Sequence, residues 1–446
     1  MDYDKILIQL GEFGWWQRRN ALLLWLPALA AGVNVLIAAF AVMEPRYSYR
    51  CRLECEPDGE ISWALPGNLS PDQLYPSLDQ GNEEEFDPNK PDYCQHYRTF
   101  LSGESCMVDN STVVNCKRGD DFAYEDFEMK HTVAIDNDLV CDDYFWTIVI
   151  DEFFMLGLLI GSFVFGVLSD KIGRRHTLLL AILSCAVGNL LGVAMPNHWS
   201  YAIPRILASA GGEGAFVLAF TMSLEYSGVR ERVPCFPWVT WSTMLSNIIG
   251  LPFALGESLP PLFAMGLKDW KTFQAAVSSL IAFSCIVWFF LPESPRLVIK
   301  NGDKDKIHNE KSPVIRWLIA NGKKEQAKKV VERAAAVNKV KLTPDAFLPD
   351  EEAGKPEAEV ELPVYGLKDM FRKSQLRITL AMFICWPVIT MLYYGLSLSA
   401  DKIHMTDNVY LSYILVSLIE MPAYIFLPLI VCIQYSAQSV HIFPSD

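Results

Sequence analysis

Five ionisable side chains, Asp151, Glu152, Arg205, Glu213 and Glu420, stand inside stretches of sequence that are otherwise almost wholly apolar. A charge placed in hydrocarbon costs about 3 kcal/mol or more, so each is a candidate for handling a charged guest. Glu213, Phe216 and Phe220 recur at i, i+3 and i+7, which on a helix sets one carboxylate beside two ring faces along a single stripe. Carboxylates and aromatic faces together suit an organic cation. Trp386, Thr390 and Tyr393 form a second stripe at i, i+4 and i+7, and Glu420 lies near the middle of its run, within Leu418-Ile-Glu-Met-Pro-Ala-Tyr424, with no lysine after it. Asp151 and Glu152 read as boundary acids in headgroup water, the alternative being that they guide cations inward, and Arg205 as a partner for an acid on another helix. No nucleophile triad, metal-ligand cluster or phosphate-cradling glycine loop appears, so neither an enzyme nor a resident cofactor or metal is expected.

These side chains need apolar helices to hold them. Of the 446 residues 51% are hydrophobic, 12% aromatic and only 20% charged, with a net charge of −14. That composition argues against a disordered or nucleic-acid-binding chain. The run 21–42 carries no charge and as a helix measures about 33 Å, the thickness of a bilayer core. Seven more runs follow, at 145–168, 178–195, 200–224, 236–255, 273–291, 377–398 and 409–433, giving eight expected spans. Spans two to six fill residues 145–292. The expected partners are therefore the lipid bilayer and a small cationic or zwitterionic solute, with no nucleic acid.

Lysine and arginine crowd the segment 293–376 and the short turns holding Lys171, Arg174, Arg175, Arg230 and Arg232, which places those connections and residues 1–20 in the cytoplasm by the positive-inside rule. By alternation residues 43–144 lie outside. That loop holds 23 acidic against 8 basic residues, and six of the 11 cysteines, Cys51, Cys55, Cys94, Cys106, Cys116 and Cys141. An even cluster in an extracellular segment reads as disulfides, in any of 15 connectivities. Sequons at Asn68 and Asn110 share the loop and mark glycosylation sites.

Between spans two and three stands Gly166-Val-Leu-Ser-Asp170-Lys171-Ile-Gly173-Arg174-Arg175. After span four comes Glu225-Tyr-Ser-Gly228 with Arg232 beyond it, and after span six Pro292-Glu293-Ser294-Pro295-Arg296. With Gly11-Glu-Phe-Gly-Trp-Trp-Gln17, the cysteine-rich first loop and Leu139-Val-Cys141, the chain resembles the organic cation/carnitine transporters of the major facilitator superfamily. The resemblance runs from the amino terminus to about Val431. It implies an all-α membrane protein in the plasma membrane, with a complete six-helix first half and two helices of a second. It also implies facilitative uptake of small organic cations or carnitine-like zwitterions by alternating access, driven by the membrane potential.

In that reading Glu213, Phe216, Phe220, Trp386, Tyr393 and Glu420 contact substrate. Gly166 permits close helix packing and Gly173 a sharp reversal, while Asp170, Arg174, Arg175, Glu225, Arg232, Glu293 and Arg296 form a conformational latch. The chain departs from the family after Val431, where residues 434–446 make an atypical tail. It departs again where Arg296-Leu-Val-Ile-Lys-Asn-Gly302 is echoed by Arg316-Trp-Leu-Ile-Ala-Asn-Gly322, as though residues near 297–316 were inserted. Both suggest a C-terminally truncated form, whose alternative role is that of a non-transporting isoform assembling with or regulating full-length transporters. A homo-oligomer through the extracellular loop is a further expectation.

Overall fold

The structure, a computed structural model, describes residues 9–10, 14–45, 49–56, 65, 74, 94–102, 105–116, 122–124, 129–226, 249–293, 329–342, 371–372, 375–400, 406 and 408–442. Its helices are α1 (Trp15–Val35), α2 (Ile37–Ala41), α3 (Val133–Asp136), α4 (Phe145–Ile172), α5 (Arg174–Val193) and α6 (His198–Tyr226). They continue with α7 (Gly250–Glu257), α8 (Leu259–Gly266), α9 (Trp270–Phe283), α10 (Val287–Phe290), α11 (Leu376–Leu398) and α12 (Val409–Ile442). Among the described residues six segments are long and apolar enough to cross a membrane: Trp15–Ala41, Cys141–Ile172, Arg174–Val193, His198–Tyr226, Trp270–Phe290 and Leu376–Leu398. Arg232, Arg296, Asn68 and most of the expected fifth span fall outside the described residues. Where that span is described, from residue 249, it runs through α7 and α8 to Gly266, well past Leu255. Helix α12 likewise continues beyond residue 433 into the expected tail.

Small residues set the packing. Gly157 and Gly161 of α4 face Ile206, Ser209 and Ala210 of α6, at distances where any Cβ would collide with backbone. Gly32 of α1 lies against Phe253 of α7, and Gly256 of α7 against Leu29 and Val33. Without a hydrophobic drive between helices in lipid, such close backbone approach is what dispersion can exploit. Gly166 was expected to do the same, but a Cβ there would meet open space. The face of α4 that docks on α6 carries Gly157 and Gly161, and Gly166 packs against nothing among the described residues.

A buried polar seam joins α1, α5, α6 and α9. Asn189 donates to Asn34 Oδ1 at 2.8 Å, Arg205 donates to Asn189 Oδ1 at 3.2 Å, and Gln274 donates to the Asn189 carbonyl at 2.8 Å. In hydrocarbon such groups must find partners in each other, so the seam also fixes helix register.

One end of the bundle carries two small antiparallel sheets. Strand β1 (Tyr49–Cys51) pairs with β4 (Phe122–Tyr124), and β2 (Gln95–Ser102) with β3 (Ser105–Asn115). The six expected cysteines join as Cys51–Cys116, Cys55–Cys106 and Cys94–Cys141, with Cα separations of 6.0, 5.7 and 5.5 Å, inside the normal range for a bridge. The register shifts after Tyr97, and Asn110 is exposed in the extra length of β3. This end also grips the start of α9, where Trp270 donates to Asp136 Oδ2 at 2.8 Å.

Candidate functional site

At the disulfide-bearing end, α4, α6, α11 and the ends of α2 and α12 surround a cavity of ≈ 1370 Å³. Its walls carry four carboxylates, Glu44, Asp151, Glu152 and Glu213, and the aromatic residues Tyr144, Trp386, Tyr394 and Tyr413. Among the described residues lining it there is no lysine, arginine or histidine. The imbalance follows from helix period: Thr147, Asp151, Met155, Leu158 and Ser162 recur along one stripe of α4, so the acids and the apolar positions between them face the same space. Asp151 and Glu152, expected in headgroup water, therefore belong to the cavity wall.

Arg205 lies behind that wall. Its side chain is 1% exposed, its guanidinium stacks 5.0 Å from the centre of the Phe154 ring, and Nε and Nη2 have no hydrogen-bond partner among the described residues. Asp151 of α4 and Arg205 act on each other electrostatically, with no hydrogen bond between them among the described residues.

The two expected aromatic stripes split apart. Glu213 and Trp386 line the cavity, but Phe216 packs on Phe253 with ring centres 4.8 Å apart, and Phe220 is 43% exposed on the outer surface of α6. Along α11 the cavity takes Trp386, Thr390 and Tyr394, an i, i+4, i+8 stripe. Tyr393 turns away and donates to Glu257 Oε1 at 2.6 Å. Glu257 is 1% exposed and within electrostatic range of Glu420, which Tyr424 approaches at 3.5 Å. Glu420 and Tyr393 thus form a second acid–phenol group around Glu257, outside the lining of the cavity. The signal that would have found Glu257 was present: it is the lone charge between Ile249 and Leu267, in a run that continues past Leu255.

A charged network ties helix ends together at the opposite end. Helix α4 stops at Gly173, whose φ of +104° is open to glycine and strained for other residues. Arg174 Nη2 meets Asp170 at 3.1 Å and Glu225 at 3.4 Å, and Nη1 donates to Ser169 Oγ. Glu293 accepts from the Arg174 amide at 2.8 Å and from the Arg175 amide at 3.3 Å, a carboxylate on the first amides of α5, where the helix dipole favours it. Arg175 donates to the Trp288 carbonyl at 3.0 Å and stacks 4.5 Å over its ring. The structure therefore gathers Asp170, Gly173, Arg174, Arg175, Glu225 and Glu293 at one place and joins α4, α5, α6 and the end of α10 there.

Comparison with known proteins accords with this architecture. Residues 146–432 match the family described as Major Facilitator Superfamily. An "Organic cation transporter protein" of Drosophila melanogaster is 29% identical over 433 residues, covering 95% of this chain and 70% of the relative. An "Organic cation transporter-like protein" of the same organism is 28% identical over 440 residues, covering 96% and 69%. The human "Organic cation/carnitine transporter 2" is 25% identical over 436 residues, covering 95% and 69%. An apolar multi-helix body, a charge-networked turn at Asp170–Arg175 and an acid-lined cavity accompany that match, and the chain belongs to the Major Facilitator Superfamily, a family of solute transporters rather than enzymes, with its similarity running to organic cation and carnitine transporters.

Proposed function

We propose that the protein carries small organic cations or zwitterions across the plasma membrane by alternating access, as a facilitator driven by the membrane potential. The observation that supports this most directly is the cavity wall, with four carboxylates, four aromatic residues and no basic side chain among its described lining. A cation entering it trades water for carboxylates and ring faces, whereas an anion meets like charge in a low-dielectric space. An inside-negative potential adds about 2.3 kcal/mol per positive charge per 100 mV, enough to concentrate a cation without a coupled ion.

The cavity reaches the disulfide end while the Arg174–Glu225–Glu293 network binds the other end together. We read this as the outward-facing state, with residues 1–20 and the 293–376 segment cytoplasmic and the disulfide end extracellular, where Asn110 is exposed to accept a glycan. Substrate contacts are assigned to Glu213, Asp151, Glu152, Trp386 and Tyr394, and the Glu257–Tyr393–Glu420 group to the join between α7 and the last two helices. The test is uptake of labelled tetraethylammonium into oocytes at two holding potentials. Uptake above water-injected controls that falls on depolarisation and drops roughly tenfold or more in Glu213→Gln, the loss of about one charge-assisted contact, is expected. Uptake at control level, or equal uptake of an organic anion, would reject the assignment.

A further inference from the structure

The four carboxylates are not gathered at one depth. Glu44, Asp151 and Glu152 stand near the disulfide end, at the close of α2 and the first turns of α4. Glu213 is deeper, and its depth follows from the helix pairing: Gly157 meets Ile206, Gly161 meets Ala210, and Phe165 meets Gly214. The two helices run the same way, so position 213 lies level with position 164 of α4. At 1.5 Å per residue that puts Glu213 about 18–20 Å below Asp151 and Glu152 along the helix axis. Arg205, behind Phe154, offsets part of the outer group's charge, but Asp151 and Glu152 together still outnumber that one guanidinium. Between the two stations the wall is mainly apolar and aromatic, with Met155, Leu158, Leu159, Trp386 and Tyr394, and its polar members there, Ser162 and Thr390, are uncharged.

Resting on the cation-transport reading, we propose that this cavity is a two-station site for elongated dications, such as linear polyamines or bis-quaternary amines, one charge on the outer acids and the other on Glu213. A compact monocation can satisfy only one station at a time and leaves the other carboxylate without a counter-charge. A chain of ten methylenes holds two quaternary nitrogens about 14 Å apart when extended, and an ion-pair contact of about 4 Å at each end bridges the remaining distance. Its methylenes lie along the apolar stretch of wall. Once one end is bound, the other binds intramolecularly, which raises affinity without any new kind of contact.

The test is binding to the full chain purified into nanodiscs, with three probes: bis(trimethylammonium)decane, decyltrimethylammonium, and bis(trimethylammonium)ethane. The first and second share a chain and differ by one charge, while the first and third share charge and differ in spacing. The ten-carbon dication is expected to bind at least about tenfold more tightly than either, and that advantage is expected to shrink to about twofold or less in Glu213→Gln. Asp151→Asn combined with Glu152→Gln, at the other station, gives the same readout where Glu213→Gln does not fold. Equal affinity for all three probes, or an advantage kept in both variants, overturns the two-station site and leaves the monocation reading intact. Failure of all three to bind rejects both.

Discussion

Replacing Glu293 by alanine isolates one strut of the closed end. The Glu293 carboxylate accepts from the Arg174 amide at 2.8 Å and more weakly from the Arg175 amide at 3.3 Å. A hydrogen bond to a charged group contributes about 1.5–3 kcal/mol, and a negative charge at a helix N-terminus about 0.3–1 kcal/mol. Glu293 is 23% exposed, so water recovers part of this, and about 2–3 kcal/mol is expected to be lost on truncation. Spread over the opening equilibrium of the first turn of α5, that raises the open population about 30- to 150-fold. Hydrogen exchange of the peptide covering residues 174–177 reads the opening directly, and Glu293→Ala is expected to speed it by that factor. Glu293→Gln, which keeps an acceptor but loses the charge, should fall between, near fivefold for about 1 kcal/mol. Unchanged exchange in Glu293→Ala would show that the carboxylate contributes nothing to holding the turn, and the latch assignment would fail with it.

Two further outcomes follow from groups elsewhere. Tyr393→Phe removes the donor to a carboxylate that is 1% exposed, and is expected to cost about 1–3 kcal/mol, measured as a lower melting temperature in detergent; an unchanged melt would mean that Glu257 is satisfied without it. At the disulfide end, burial acts to raise the Glu56 pKa, but hydrogen bonds from Arg50 and the Leu53 amide, with the charges of Arg50 and Arg52, outweigh it and hold it below the ordinary 4.5. A depressed carboxylate pKa stabilises above the unfolded value and loses that contribution as pH falls through the folded one. The difference in melting temperature between the parent and Arg50→Met should therefore narrow between pH 7 and pH 3, and a constant difference would refute the pairing as its source.

The helical body and the clustering of Asp170, Arg174, Glu225 and Glu293 were legible because their signals are local. A chargeless run long enough to span a bilayer needs no partner to be recognised, and Asp170 meets Arg174 only four residues on, across the turn at Gly173. The disulfide pairing was not legible, since Cys51 finds Cys116 across 65 residues and nothing in spacing selects it from fifteen alternatives. The cavity was half legible. Glu213 and Trp386 declared themselves as a charge and a ring inside apolar runs, but a stripe fixes only relative positions on one helix and not which neighbour it meets. Phe216 went to Phe253 for that reason, and Tyr394 took the place expected for Tyr393. Glu257 was lost to a boundary drawn two residues too early, and Gly166 was credited with packing that depends on which face of α4 meets α6.

The bridge from Cys94 to Cys141 fastens the β2–β3 ribbon four residues before the start of α4, the helix that supplies two of the mouth's acids, and Cys51 ties the same unit to the chain emerging from α2. In the proposed alternating-access cycle the stapled cap would be a handle on the mouth of the cavity. Any rocking of α4 must carry the cap with it, so a macromolecule that grips the cap from the aqueous side would resist the transport cycle without entering the pathway or touching lipid.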